Sequence, residues 1–404
     1  MAGQVTTNLS TQDWKDSAKQ WKKELLLAAV IGYDDTLKHM TPMAGIKEKL
    51  MLGQYGMNSQ LRPYTSGMSA TNNNLEINWR ELETYQGALV EAFEPNSAIQ
   101  TIIGKAAAGR GEGLKNTEAA KYALAAIANS VSGYLNMAIW KATRVANGTT
   151  TMQLFNGFDT ITATEITAGN ISAAKGNYLK LSTKMTSSNA MDLIKQAVRS
   201  LSPELRSKPC NLYCSQEVYD MYCDDYQSSH GALPYNTEFA KGKVEDSLGN
   251  ITFVPLASKA NSSYIHICPK ENLVYGYDNM SDAASVGVEK YSSFELTFEM
   301  SMFFGVQFAS LDKRIMKVIE LADVTVSLAN KSGQTSSYGT VKINSGTAGT
   351  SASANVPYGQ LTTLTATPGT GYKFKTWSDG DTNATRTVEP TDNLTLTAEF
   401  EAEA

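Results

Sequence analysis

The amino-acid composition of the chain changes abruptly at Asp323. Upstream of this residue, helical and strand-like apolar patterns both occur. Downstream, residues 324–404 are rich in Thr, Gly and Ser, contain no Cys and show no helical spacing. The short segments VTVSL, GTVKI, LTTLTATP, YKFKTW, RTVEP and LTLTAEF are separated there by Gly and Asn clusters, which is typical of β-strands joined by turns. The sequence therefore predicts an independent all-β module over residues 324–404.

The amino-terminal region has two features that are not typical of a compact domain. Residues 11–31 have the apolar spacing of an amphipathic helix, with Trp14 and Trp21 on its apolar stripe, which must pack on the body or on another subunit. After a Gly-, Asn-, Ser- and Met-rich stretch, three apolar residues alternate with polar ones as in a strand: Leu75, Ile77 and Trp79. We therefore expect a helical arm followed by a long, hairpin-like loop.

The centre of the chain predicts a mixture of helices and strands. A long helix begins at Asn116 or Thr117 and keeps an apolar stripe for about six turns, and a second begins near Ser188 or Asn189. Short Thr-rich strands are expected after Asn147. Further strands and one helix (216–227) are predicted at 210–215, 251–256, 264–269, 273–278 and 294–308. This order indicates an α+β fold.

Few residues suggest chemistry. The chain has 404 residues, a formal net charge of −5, three His and four Cys, and no nucleophile or phosphate-loop motif. The stretch Gly109–Thr117 lacks the spacing of a phosphate loop, and the Asp residues near 220–225 fit a solvated helix face. The amino terminus lacks the pattern of a secretory signal. We expect no catalytic residues, no metal and no cofactor.

The order of arm, extended loop, long helix, α/β middle and return strand resembles the major capsid proteins of tailed bacteriophages, which have the Hong Kong 97 fold. The segments Leu233–Gly242 and Phe303–Val318 are similar in character to that family. The resemblance implies an arm over 1–48, an extended loop over 49–112, a peripheral domain over 113–187 and 286–322, and an axial domain over 188–285. Residues 324–404 would form a module displayed on the surface.

The tail resembles the internalin B-type repeat, an Ig-like β module of bacterial surface proteins. The stretch GYKFKTWSDGDTN, followed by an Arg-Thr strand and LTLTAEF, carries this likeness. Five residues are candidates for the core of the module or for a binding surface: Tyr372, Phe374, Trp377, Asp379 and Asp381. Asp379 and Asp381 are of a residue type that tight turns favour for their backbone conformation, so a turn is the first interpretation. A calcium site is the alternative.

These resemblances imply a virion protein made in the host cytoplasm, which self-assembles as hexamers and pentamers into an icosahedral shell. Its expected partners are other capsid or scaffolding proteins, packaged double-stranded DNA through non-specific contacts, and a host-surface or mucus glycan. Candidate intersubunit residues are Trp14, Trp21, Leu75, Ile77 and Trp79. The alternatives are a bacterial surface or cytoplasmic binding protein that recognises a polysaccharide or protein through its tail, and an enzyme on an α+β core.

Overall fold

A computed structural model of the chain describes residues 11–21, 34–56, 63–66, 68, 76–93, 116–230, 242–278, 286–291 and 295–403. The chain divides into two compact units. The first comprises Met1–Glu165 and Lys270–Leu311, and the second Ile166–Pro269 and Asp312–Ala404. The expected division of the body into arm, loop, peripheral and axial domains stays a prediction. No helix in the described ranges is long and apolar enough to cross a bilayer.

The first unit is built around one long helix and a mixed sheet. Its helices are α1 (Thr11–Gln20), α2 (Asp34–Leu37) and α3 (Asn116–Lys141), while α4 (Phe158–Thr167) runs across the boundary between the units. Helix α3 spans 26 residues, and this confirms the long helix expected to begin at Asn116 or Thr117.

The sheet of the first unit is organised by its longest strand. Its strands are β1 (Thr41–Ala44), β4 (Tyr85–Phe93), β9 (Leu273–Tyr277), β10 (Val286–Lys290) and β11 (Leu296–Phe308). Strand β11 pairs with β4, β9 and β10, and β9 also pairs with β1. Because neighbours and packing cover most of β11, Phe298, Phe304 and Phe308 are all fully buried. A separate two-stranded ribbon consists of β2 (Lys49–Gly56) and β3 (Glu76–Glu83).

The second unit contains a five-stranded sheet flanked by helices. Its elements are β5 (Tyr178–Lys180), α5 (Ala190–Arg199), α6 (Pro203–Arg206), β6 (Cys210–Ser215), α7 (Gln216–His230), β7 (Ile251–Leu256), β8 (Tyr264–Cys268) and β12 (Lys317–Glu320). The strand order is β5-β12-β8-β6-β7. Strands β6 and β7 are parallel and are joined through α7, a connection that brings a helix onto the sheet. The predicted mixture of helices and strands is therefore confirmed.

One expected set of strands is wrong. The Thr-rich region after Asn147 forms a short 3-10 turn at Thr151–Gln153 and then helix α4. Thr162 donates its hydroxyl to the carbonyl of Phe158 at 2.8 Å, as a helical Thr can. Burial of Phe158 and Thr162 on one face offsets the weak helix propensity of β-branched residues, because tertiary packing overrides local preference.

The carboxyl-terminal module is a pair of facing β-sheets. Its seven strands are β13 (Val324–Asn330), β14 (Gly339–Ile343), β15 (Ser351–Val356), β16 (Thr362–Pro368), β17 (Tyr372–Trp377), β18 (Thr385–Val388) and β19 (Leu394–Ala402). One sheet has the order β15-β13-β19-β17 and the other β14-β16-β18. Six strands were expected from the sequence. The sequence SASANV of β15 was missed because Ser, Ala and Asn carry a weak strand signal.

Two glycines in the sheet of the first unit should respond very differently to substitution by alanine. A Cβ on Gly305 would lie 2.0 Å from the carbonyl oxygen of Glu83, whereas a Cβ on Gly287 would meet nothing within 4 Å. We expect Gly305→Ala to lower the free energy of unfolding by more than about 3 kcal/mol, because backbone atoms must move apart. Gly287→Ala serves as the matched control and should raise stability by about 0.5 kcal/mol. Urea denaturation measures both; equal midpoints would contradict the close approach.

Candidate assembly surfaces and the carboxyl-terminal module

The β2–β3 ribbon is held to the first unit by its inner face. On this face Leu82 is fully buried, and Leu50 and Leu52 pack against a small apolar cluster. Arg80, also on this face, donates from Nε to the carbonyl of Phe308 at 3.0 Å and from a terminal nitrogen to Glu165 at 2.9 Å. Charge-assisted hydrogen bonds of this kind fix direction as well as position. The ribbon is therefore fastened in a single orientation.

The outer face of the ribbon presents apolar side chains. Met51 is 56% exposed and Trp79 is 51% exposed, and the strand register places both on the face opposite Leu82. The indole of Trp79 lies over Gly53 of the neighbouring strand, since a Cβ there would come within 2.7 Å of the ring. Leu75 lies outside the described residues. Ile77 belongs to β3, but its side chain also lies outside the described part.

The amino-terminal helix α1 packs on its own unit. It contacts α3 and β10, and Lys15 forms an ion pair with Glu289 at 2.7 Å. Trp21, just after the helix, is half-buried against a cluster that includes Leu124 and Val286. Trp14 belongs to α1, and its side chain is outside the described part. The expected contact of both tryptophans with a neighbouring subunit stays a prediction.

Three of the four cysteines and one histidine of the second unit are core residues, while Cys223 is partly buried. Cys210, Cys214 and Cys268 are buried, and burial raises the pKa of the Cys214 thiol to about 12. His266 is completely buried in β8, and burial lowers its pKa well below the ordinary value because the charged form is disfavoured. In the described ranges, no group of three or more His, Cys, Asp or Glu residues is arranged to hold a metal ion.

The module has an aromatic core. Trp377 is 1% exposed, and its indole nitrogen donates to the carbonyl of Asn383 at 2.9 Å. The ring of Phe374 lies 5.4 Å from that of Trp377 and 6.0 Å from that of Phe400. Tyr372 is half-buried near one end of the module, and its ring packs on that of Tyr338 at 4.5 Å. Trp377 therefore occupies the core, and Tyr372 is the aromatic candidate that reaches the surface.

The turn after Trp377 is closed by an arginine. Arg386 donates to Asp381 at 2.9 Å and to Asp379 at 2.5 Å, so its guanidinium lies against both carboxylates. Arg386 lowers the pKa of Asp379, and the pKa of Asp381 is lowered first by a hydrogen bond from the backbone of Asn383 and then by Arg386. The guanidinium thus supplies the positive charge that a bound cation would otherwise provide. The geometry supports a structural turn.

The module is joined to the five-stranded sheet without a flexible linker. Only residues 321–323 separate β12 from β13, and Leu321, Ala322 and Val324 are buried. A single apolar cluster extends from Leu212 and Ile267 of the sheet to core residues of the module. Because apolar burial is continuous across this junction, separating the two parts would expose apolar surface on both.

Polar contacts fix the same junction at its edge. The hydroxyl of Tyr358 donates to Glu217 at 2.7 Å, and Ser263 donates to the carbonyl of Tyr358 at 2.5 Å. Asn261 donates to Glu389 at 3.0 Å, and Lys184 pairs with Asp392. No pattern in the sequence indicated these contacts, since their partners are distant along the chain and their residue types are common on any surface. They show that the module is seated in one position on the sheet.

Gly359 lies where the module approaches Asn261 closely. It has a φ of +64°, and a Cβ there would lie 1.9 Å from the carbonyl oxygen of Asn261. Gly371, also in the module, has a φ of +80° but nothing within 4 Å of its added Cβ. Both glycines thus have a left-handed backbone conformation, but only Gly359 closely approaches another residue.

We expect Gly359→Ala to destabilise the second unit by more than about 3 kcal/mol, whereas Gly371→Ala should cost about 1 kcal/mol for backbone strain alone. The denaturant midpoint and the rate of proteolysis near residue 323 measure the effect. If the two variants behave alike, the module is not seated on Asn261.

Comparisons with known proteins concern the carboxyl-terminal module and the chain as a whole. Residues 339–404 match the family model described as the divergent InlB B-repeat domain, which confirms the expected likeness of the tail. No curated protein matches the chain. Solved structures that resemble the chain include the capsids of several phages.

Three of these structures illustrate the likeness. The procapsid of satellite phage P4, which includes a size determination protein, is 12% identical with a TM-score of 0.49, over 75% of this chain and 90% of that chain. The capsid of cyanophage A-1(L) is 13% identical with a TM-score of 0.48, over 71% and 92%. The capsid of a native GTA particle is 12% identical with a TM-score of 0.44, over 73% and 90%.

Proposed function

We propose that this chain is a major capsid protein. Copies of it would self-assemble as hexamers and pentamers into the icosahedral shell of a tailed bacteriophage, which encloses double-stranded DNA. The subunits would be made in the host cytoplasm and incorporated into the virion with other capsid or scaffolding proteins. A structural role of this kind requires no catalytic residue, metal or cofactor.

The proposal rests on the β2–β3 ribbon and on its place in the order of elements along the chain. Its inner face is fastened by Leu82 and Arg80, while its outer face presents Met51 and Trp79 to solvent. Two large apolar side chains on the same face of a fastened ribbon favour an interaction site, because their exposure gives no advantage to an isolated subunit. A ribbon that precedes a long helix and a mixed sheet is the arrangement that the resemblance to capsid subunits implies.

A second apolar surface supports assembly. Tyr134 and Met137 lie three residues apart on α3, so they are neighbours on one side of the helix, and both are exposed. Contacts with packaged DNA would be non-specific phosphate contacts, which leave no sequence motif. The net charge of −5 means that such contacts would depend on local basic side chains rather than on the overall field of the protein.

We further propose that the module is displayed on the outer surface of the shell and binds a host-surface or mucus glycan. In its favour, the basic side chains Lys331, Lys373, Lys375 and Arg386 all pair with acidic ones within the module. The resulting surface is close to neutral, which suits an uncharged partner better than DNA. Tyr372 is the candidate for stacking on a sugar, because its ring packs on Tyr338 and is only partly buried.

The shell is tested with Trp79→Ala. We expect the variant to fold as a subunit and to need roughly tenfold more protein for half-maximal assembly, because each contact loses apolar burial. Val145→Ala, which truncates another exposed apolar residue of the first unit, is the matched control and should assemble normally. Electron microscopy identifies the particles and sedimentation velocity measures the midpoint. Wild-type protein that forms no shells, rings or tubes at any concentration would instead favour the binding-protein alternative.

The displayed module is tested on assembled particles. Wild-type particles should bind immobilised mucin from which sialic acid and sulfate have been removed, and Tyr372→Ala should reduce the bound fraction at least fivefold without changing assembly, since roughly 1 kcal/mol of ring contact is lost. Thr363→Ala, on the other sheet of the module, is the control. Binding that survives Tyr372→Ala, or particles that do not bind mucin, would count against a glycan-binding role.

A further inference from the structure

Four of the five strands in the sheet of the second unit run in the same direction. Strand β12 is parallel to β5, and β6 is parallel to β7, while β8 lies between β12 and β6 and is antiparallel to both. The amino-terminal ends of β5, β12, β6 and β7 therefore lie at one edge of the sheet. The module is joined to the opposite edge, because β13 follows the carboxyl end of β12.

A lysine lies at the first edge for each of these four strands. Lys175, Lys313 and Lys208 belong to the loops directly before β5, β12 and β6. Lys243 lies beside the start of β7, because it forms a β-bridge with Thr252. Neighbouring strands are about 4.8 Å apart, so the four lysines form a row of roughly 19 Å from β5 to β7. We call this row the basic edge.

The loops that carry the basic edge contact one another. A Cβ on Gly176, beside Lys175, would lie 3.3 Å from the side chain of Lys313. Ser202, which precedes α6, donates to the carbonyl of Lys313 at 3.0 Å. At the end of α6, Arg206 donates to the carbonyl of residue 246 in the turn before β7 at 2.9 Å. The basic edge is therefore one continuous surface that folding has already formed.

The four lysines are not neutralised by carboxylates. Lys208 and Lys313 are exposed, and in the described part of the chain their side-chain nitrogens have no hydrogen-bond or ion-pair partner. Lys175 donates to a side-chain amide oxygen at 3.2 Å, and Lys243 donates to a backbone carbonyl. Because both acceptors are uncharged, all four ammonium groups keep their positive charge without a counter-charge.

The acidic side chains near the basic edge are already paired with arginines. Asp246 accepts from Arg199 at 2.9 and 2.5 Å, and Asp312 accepts from Arg314 at 3.1 and 2.6 Å. Glu204 of α6 is exposed and has no ion-pair partner in the described part of the chain. The lysines of the basic edge thus outnumber the carboxylates that are available to them within the second unit.

Lysines in other parts of the second unit are paired differently. At the edge next to the module, Lys180 pairs with two carboxylates at 2.9 Å, and Lys184 pairs with Asp392. Lys342 of the module has no carboxylate partner, but three other lysines of the module do: Lys331, Lys373 and Lys375. Uncompensated positive charge is therefore concentrated at one edge, in a chain whose net charge is −5. A local concentration of this kind attracts a polyanion.

We propose that the basic edge binds the phosphate backbone of double-stranded DNA. This inference rests on the proposed function, in which the shell encloses DNA, and it names the surface of the subunit that contacts the DNA. Duplex DNA carries one negative charge per about 1.7 Å of its axis, so a row of roughly 19 Å faces several phosphates at once. Lysine places a compact charge on a flexible stem, which suits contacts that do not depend on base sequence.

An acidic protein is the alternative partner, and the residue types argue against it. Lysine is depleted in protein–protein interfaces, whereas protein–DNA interfaces are strongly positive. A large apolar side chain near this edge, Leu248, has a φ of 54° in the turn before β7 and is 89% exposed. A single residue of this kind does not form the apolar centre that a stable protein interface requires.

The triple variant Lys175→Gln, Lys208→Gln and Lys313→Gln tests the basic edge. These side chains have no carboxylate partner, so the urea midpoint should not change. Fluorescence anisotropy with a short labelled duplex measures the binding constant between about 50 and 200 mM salt. With about four phosphate contacts, the wild-type constant should fall roughly 150-fold over this range, because each contact adds about −0.9 to the logarithmic salt slope. The triple variant keeps one contact and should lose only about threefold. A wild-type salt slope in the triple variant would overturn the proposal.

A second triple variant controls for overall charge. Lys331→Gln, Lys342→Gln and Lys373→Gln change the net charge by the same amount, but they lie in the module. This variant should bind DNA like the wild type, because the position of the lysines and not the total charge decides binding. If both triple variants lose affinity equally, the basic edge has no special role and the proposal fails.

The partner class and the capsid proposal are tested separately. Polyglutamate should bind the wild-type chain at least tenfold more weakly than duplex DNA of equal total charge, and equal binding would identify an acidic protein as the partner instead. The variant of the basic edge should assemble like the wild type in electron microscopy, and loss of assembly would make these lysines subunit contacts and overturn the proposal. Shells formed by a chain that does not bind DNA through this edge refute the inference alone. DNA binding through the edge without any assembly supports the inference and refutes the capsid proposal.

Discussion

The continuous apolar core of the second unit is the interaction on which much of this structure depends. It runs from the strands of the five-stranded sheet through Leu321 and Val324 into the facing sheets of the module. Burial of apolar surface is roughly additive in area, so two parts that share one core stabilise each other. The module is consequently a fixed part of this unit, although its composition resembles that of a detachable domain.

The polar contacts around this core decide orientation rather than bulk stability. Two hydrogen bonds hold the module in one position on the sheet: Tyr358 with Glu217, and Asn261 with Glu389. Gly359 permits the close approach because it has no side chain. Non-directional apolar burial would tolerate many seatings, whereas hydrogen bonds and steric exclusion select among them. Because the module is fixed in this way, any surface on it keeps a constant orientation relative to the five-stranded sheet.

The surfaces proposed for assembly share one physical property, which is that their apolar side chains are exposed on braced backbone. Met51 and Trp79 stand on a ribbon whose other face is fastened by Arg80, and Tyr134 and Met137 stand on helix α3. Exposure of such groups is unfavourable for an isolated subunit, and rigid support lowers the cost of burying them against a partner. Assembly would thus bury the apolar side chains that folding of the subunit leaves exposed.

Local patterns predicted the elements whose periodicity was strong. The long helix α3, the strand at 210–215 and six of the seven module strands follow from apolar spacing and turn residues. The pattern failed for α4, where Thr-rich sequence becomes helical through burial of Phe158 and Thr162, and for β15, whose small residues give a weak strand signal. In both segments the neighbouring elements, rather than intrinsic preference, select the conformation.

The sequence by itself determined the α+β class, the all-β tail and its aromatic core, because hydrophobic periodicity and turn chemistry are local properties. It could not determine that the tail shares a core with the sheet, that Arg386 closes the Asp379–Asp381 turn, or that Leu248 lies in the left-handed region. These features arise from contacts between residues far apart in the chain or from backbone geometry imposed by such contacts. Only the tertiary structure brings those groups together, since no short-range pattern encodes which distant partners will meet.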